Sequence, residues 1–128
     1  MTASTYLWKG SGKSMSLLDL RDALLDVMDD VYHYKAPADK PDCYIVWGED
    51  GGDDALAADD RNETLVIRGR LYYYTAEEFD TTFDDICTAL SDAGAAWSLG
   101  AMGYDDTTNR FAYEITWRIC CGAGEVYR

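Results

Sequence analysis

Residues 64–94 read TLVIRGRLYYYT and then AEEFDTTFDDICTALSDAG, a long strand pattern running into a helix pattern with almost no linker. From Leu65 the side chains alternate. Leu65, Ile67, Leu71 and Tyr73 fall on one parity; Arg68, Arg70, Tyr72 and Tyr74 fall on the other. Successive strand side chains point to opposite faces, so the alternation predicts one buried face and one polar, aromatic face. Gly69 interrupts the buried parity and marks a bulge or a close backbone approach. At Thr75 the period changes. Thr75 with Glu78 three residues on has the pattern of a capping box. Phe79, Phe83, Ile86, Cys87 and Leu90 then recur at spacings of three and four, which is one apolar helical stripe. Glu77, Asp80, Asp84 and Asp85 lie off the stripe, early enough for the helix dipole to favour their charge. Gly94 suits the left-handed residue that ends such a helix.

Upstream, Ser16 is the cap of a first helix expected from Leu17 to about Tyr34. Its stripe is Leu17, Leu20, Leu24, Val27, Met28 and Val31, widened by Leu25. His33 falls at the end of this helix among tyrosines, with no acid and nucleophile spaced to partner it, and reads as structural. Both prolines, Pro37 and Pro41, mark Lys35–Asp42 as a loop. Cys43–Gly48 (CYIVWG) is a short apolar strand. Glu49–Asn62 mixes acids and glycines, but lacks the D-x-D-x-D-G spacing of a calcium loop. Asp50, Asp53, Asp54, Asp59 and Asp60 are therefore expected to be exposed and mobile, with no tightly bound ion.

Downstream, Ala95–Tyr104 is a strand with Trp97, Leu99 and Ala101 on one parity, followed by the turn DDTTN at 105–109. In Arg110–Cys120, Phe111, Tyr113, Ile115, Trp117 and Ile119 alternate with Ala112, Glu114, Thr116, Arg118 and Cys120. Trp117 and Phe83 are expected to be buried between the sheet and the second helix. Residues 1–14 are small and polar and read as a mobile arm ahead of a single domain, 15–128. Gly12-Lys13-Ser14 is not a phosphate loop, because Leu7 stands where that loop needs a glycine.

Composition narrows the classes of function. With 48% hydrophobic residues, the chain has a core to build. No apolar run approaches the roughly 20 residues that span a bilayer, and the N-terminus lacks a signal peptide's apolar centre, so export is not expected. Eleven basic against 24 acidic residues leave a net charge of −13. Such a chain repels nucleic-acid backbones and anionic membranes. Cys43, Cys87, Cys120 and Cys121 include no C-x-x-C, and one histidine is too few for a usual zinc set, so they read as reduced thiols with no metal or cofactor. No nucleophile–base pair or phosphate loop is visible, so an enzyme is not expected.

The element order is α-β-β-α-β-β. Short connections favour antiparallel pairs, and each helix has one apolar stripe. The expected architecture is α+β: a mainly antiparallel four-stranded sheet with both helices packed on one face. The other face then carries Arg68, Arg70, Tyr72, Tyr74, Glu114, Thr116 and Arg118. Tyrosine and arginine are enriched at interfaces, which makes Arg68, Arg70, Tyr72, Tyr74 and Arg118 the candidate interface.

An opening helix, CYIVWGED before an acid-rich loop, the unit LVIRGRLYYYTAEEFDTTFDDICTAL and a closing hairpin ending RFAYEITWRI together span Ser16–Ile119. In these patterns the chain resembles the tail terminator (tail completion, minor tail) proteins of long-tailed bacteriophages. The resemblance implies a structural protein without catalytic residues. It implies a ring, typically hexameric, that caps the tail tube and joins tail to head, with tail-tube and neck proteins as partners. The place implied is the head–tail junction of the virion, after assembly in the host cytoplasm. Two other classes fit the residues: another phage neck, head-completion or tail-tube protein, and a small acidic binding module of the immunity or nucleic-acid-mimic kind.

Overall fold

A computed structural model describes residues 14–52 and 64–128. Ser16 starts helix α1, Leu17–Val27, through a complete capping box. Its hydroxyl accepts from Asp19 N at 3.1 Å, and the Asp19 carboxylate accepts from Ser16 N at 2.9 Å. The helix does not continue to Tyr34. Met28 is already extended (φ −159°, ψ 162°), and Val31–His33 form a strand, β1. Asp26, Asp29 and Asp30 sit at the negative end of the helix dipole, where their charge is unfavourable. Val31 and Tyr32 have the side chains that a sheet prefers. β1 pairs parallel with β2, Cys43–Gly52, in the register Val31↔Ile45 and His33↔Trp47.

β3, Thr64–Thr75, pairs antiparallel with β2 on one side and with β5, Arg110–Gly122, on the other. β4, Ala96–Asp105, closes the far edge against β5. The sheet order is β1-β2-β3-β5-β4. The element order is thus α-β-β-β-α-β-β and the sheet is five-stranded and mixed. This overturns the four-stranded antiparallel sheet expected from the sequence. The extra strand is the segment that the sequence pattern predicts as the end of the first helix.

The second helix, α2, spans Thr82–Ala93 and ends, as its sequence suggests, on Gly94 in the left-handed conformation at φ 106°. Its start does not follow the sequence reading. Thr75 is the last residue of β3, 1% exposed, and caps no helix. The turn between is built around Asp80. That carboxylate accepts from the Tyr73 hydroxyl, from Thr75 Oγ1 at 2.7 Å and from Thr82 N at 2.9 Å, while Thr75 Oγ1 accepts from Glu77 N at 3.1 Å. Burial opposes ionisation of Asp80, but the hydrogen bonds from Tyr73 and Thr75 outweigh it and hold its carboxyl below the usual range. Phe79, expected on the helix stripe, lies in this turn and is 85% exposed.

Both helices cover one face of the sheet. Leu20 and Leu24 of α1, Ile86 and Leu90 of α2, and Ile45, Leu71, Tyr73, Ile115 and Trp117 of the strands form one buried cluster. Trp117 is fully buried as expected; Phe83 is only half-buried and stacks on Tyr113 with ring centroids 4.5 Å apart. Gly69 stands opposite Trp117, and a Cβ there would collide with the Trp117 ring and the Gly48 carbonyl, so the glycine marks a close approach. Leu65, the second residue of β3, is 40% exposed rather than buried. In β4 the register shifts between Leu99 and Met102, so Ala101 does not continue the parity of Trp97 and Leu99. Leu99 is exposed on this outer strand as well.

Ser14, placed in the arm by the sequence reading, pairs with Cys120, and Met15 N donates to Cys120 O at 2.8 Å. Residues 1–13 lie outside the described residues. Cys120 and Cys121 are consecutive in β5 and so face opposite ways; Cys121 is in the core and all four cysteines are free. Among the described residues no helix is long and apolar enough to cross a membrane.

Candidate interface on the open sheet face

The described residues place no helix on the second sheet face. The register sets its composition. Arg68 stands opposite Arg118, Arg70 opposite Thr116, Tyr72 opposite Glu114 and Tyr74 opposite Ala112. β2 adds Tyr44 opposite Tyr74, and Val46 opposite Tyr72. The five residues singled out from the sequence, Arg68, Arg70, Tyr72, Tyr74 and Arg118, are thus brought onto one surface. Arg68 and Arg70 are exposed, while Tyr72, Tyr74 and Arg118 are half-buried.

The side chains on this face are partly organised. Tyr44 and Tyr74 stack with centroids 4.9 Å apart. Tyr44 is 1% exposed even though it points away from the core. The Arg110 guanidinium lies 5.7 Å from the Tyr44 ring and is itself held by the carbonyls of Pro41, Asp42 and Thr108. Burial pushes the hydroxyls of Tyr44 and Tyr74 up from their ordinary pKa. Arg68 donates to Gly52 O at 2.8 Å, and Arg70 pairs with Asp50 at 3.4 Å. Tyr72 OH donates to Glu114 at 3.4 Å.

Asp50, assigned to a mobile acidic loop by the sequence reading, instead lies in β2 beside a bulge between Glu49 and Gly51. Asp53, Asp54, Asp59 and Asp60 lie outside the described residues. His33 is on β1, where its Nε2 lies 2.8 Å from Glu49 Oε1 and its ring lies tilted against those of Tyr34 and Trp47. Among the described residues, no group of three His, Cys, Asp or Glu side chains is placed to hold a metal ion. Cys87, half-buried on α2, has its thiol pushed up to about 11 by burial, with the Asp84 charge adding to it.

Sequence reasoning missed Tyr44, Asp50 and Arg110. For the first two a signal was present. Continuing the alternation of CYIVWGED past Gly48 puts Asp50 with Tyr44, Val46 and Gly48 on the arginine face. Arg110 gave none, since its partners are backbone carbonyls about seventy residues away. No protein-family model matches the chain, and a comparison with curated proteins finds no match.

Proposed function

We propose that this chain is a tail-terminator-type assembly protein of a long-tailed phage or prophage, a non-enzymatic subunit that closes into a ring, caps the tail tube and joins it to the head. The observation that carries this reading is the division of charge between the two layers. α1 and α2 bear Asp19, Asp22, Asp26, Asp84, Asp85 and Asp92 against the single Arg21. The open sheet face bears Arg68, Arg70 and Arg118 among tyrosines, in a chain of net charge −13. An acidic helical layer and a basic, aromatic sheet face are different surfaces of one molecule. Contact between them is head-to-tail, and it closes into a ring when the rotation fits. Complementary charge sets register and encounter rate more than affinity. The resemblance of the strand and helix stretches to tail terminators supplies the place of action, with tail-tube and neck proteins as further partners.

The test is sedimentation of wild type and Arg68→Glu/Arg70→Glu, each alone and with tail-tube protein, at low and high salt. Both arginines lie off the core, so the double variant is expected to fold and to assemble or dock less well, with salt acting in the same direction on wild type. Equal assembly of both proteins at every salt concentration would mean that the face is merely solvated. A monomeric wild type that ignores the tube but binds basic proteins would favour the acidic-mimic class instead.

A further inference from the structure

The open sheet face has a groove of about 350 Å³ along β4 and β5. Tyr72 and Tyr74 border it, and the small residues Ala101, Gly103 and Ala112 leave the space. Its charged lining is acidic, Asp105 and Glu114, with no cation among the lining residues. The nearby arginines are engaged elsewhere. Arg70 pairs with Asp50, and Arg110 is held by the carbonyls of Pro41, Asp42 and Thr108. Glu114 accepts from Tyr72 OH and from Ala101 N at 3.4 Å each, both neutral donors, so its charge keeps room for a cation. An aromatic groove with two carboxylates suits an occupant that is both apolar and positively charged.

The chain carries such a segment next to this face. Residues 1–13, MTASTYLWKGSGK, hold Lys9, Lys13 and no acid in a chain of net charge −13, together with the apolar run Tyr6-Leu7-Trp8. Its point of entry is set by the fold. Ser14 pairs parallel with Cys120, and Met15 N donates to Cys120 O at 2.8 Å. Met15 is in the core, so Ser14 points towards the open face. A parallel pair sends the residues before Ser14 back along β5, towards Arg118 and then Glu114. They cannot stay in the plane of the sheet, because Ala96 of β4 already stands opposite Arg118. α1 and α2 cover the other face. The reach fits as well. Trp8 is six residues before Ser14, up to about 20 Å of extended chain, and Glu114 is six residues before Cys120 in β5, also about 20 Å.

We propose that residues 1–13 dock in this groove of their own subunit, with Tyr6 and Trp8 against Tyr72 and Tyr74 and Lys9 beside Glu114. Tethering makes the contact intramolecular. Effective concentrations on a short linker reach the millimolar range, so a few side chains are enough to fill the groove. The docked segment covers the tyrosine end of the open face and leaves Arg68 and Arg70 uncovered. It is compatible with the ring reading and does not depend on it.

The test uses the full chain with photo-reactive benzoylphenylalanine in place of Trp8, mixed with an equal amount of isotope-labelled chain of the same kind. Irradiation is expected to join position 8 to residues 72–74, 101–105 or 112–114 within one chain. Cross-links between labelled and unlabelled chains would assign the groove to a neighbour's segment. Cross-links elsewhere in the same chain, or none, would leave it to another occupant. Each of these results overturns the proposal. Gly103→Lys fills the groove and adds a cation, and a Cβ at Gly103 meets nothing within 4 Å. This variant is expected to lose most of those cross-links; an unchanged yield overturns the seat. In nitrogen-15 NMR spectra of the full chain, Trp8→Ala is expected to shift the amide signals of Gly103 and Ala112 and to leave those of Leu20 and Leu24 in place. Unmoved signals at Gly103 and Ala112 overturn it too.

Discussion

Ser16-Leu-Leu-Asp19 and Thr75-Ala-Glu-Glu78 carry the same local signal, a hydroxyl residue followed three positions later by an acid. One starts a helix and the other ends a strand. At Ser16 the chain comes in extended, and the four residues are free to exchange their two hydrogen bonds. At Thr75 the backbone is still paired with Cys43 on one side and Phe111 on the other. Its hydroxyl is taken by Asp80, which also collects the buried Tyr73 hydroxyl. A capping box competes with whatever else its side chains can reach. Here a carboxylate five residues on, with three donors to satisfy, wins over Glu78 with one.

The comparison breaks most clearly at Asp80. Asp80→Ala leaves the hydroxyls of Tyr73 and Thr75, both at most 1% exposed, without their acceptor. Unsatisfied buried donors make the expected loss about 2–4 kcal/mol in urea unfolding at neutral pH. A loss below that of a surface substitution would mean that Asp80 does not organise the turn.

The same carboxylate gives a dependence on pH that the Ser16 box need not share. Its folded pKa is lowered, so its contribution is complete above the unfolded value of about 3.9 and is lost as pH falls through the lower folded value. Stability of wild type should fall along this limb, and Asp80→Asn should remove that part of the fall. Parallel acid limbs for the two proteins would contradict the lowered pKa.

Ser16→Ala tests the box that does cap, with an expected cost of about 1 kcal/mol. Glu78→Ala tests the one that does not. Glu78 is exposed and caps nothing, so the change should stay within about 0.5 kcal/mol. A cost equal to that of Ser16→Ala would show that Thr75 and Glu78 cap a helix after all.

Much of the sheet was legible in the sequence. The alternation in Arg110–Cys120 and Thr64–Thr75 correctly assigned Leu71, Tyr73, Ile115 and Trp117 to the core and Arg68, Arg70, Tyr72, Tyr74 and Arg118 to the opposite face. A two-residue period repeated over a dozen residues is robust to errors at the ends. What escaped was short or interrupted. β1 has three residues, too few to show a period, and Val31 fits the spacing of the preceding helix as well as it fits a strand. The bulge in β4 breaks its alternation in the middle. Phe79 matched the helical stripe by spacing, and nothing local reveals that a turn holds it out into solvent.

The sequence by itself determined the faces of the long strands, the start of the first helix and the end of the second, because side-chain alternation, a cap and a left-handed glycine act between near neighbours. Only the tertiary structure decided that 31–33 is a strand, that Thr75 belongs to the sheet and that Phe79 stands exposed. Each of those depends on a partner elsewhere in the chain: Ile45 and Trp47 for β1, and Cys43 and Phe111 for Thr75. For Phe79 it is the tie between Asp80 and Tyr73 that ends the strand pattern before a helix can begin. A hydrogen-bond partner across a sheet leaves no period in the sequence, so these choices wait for the folded chain.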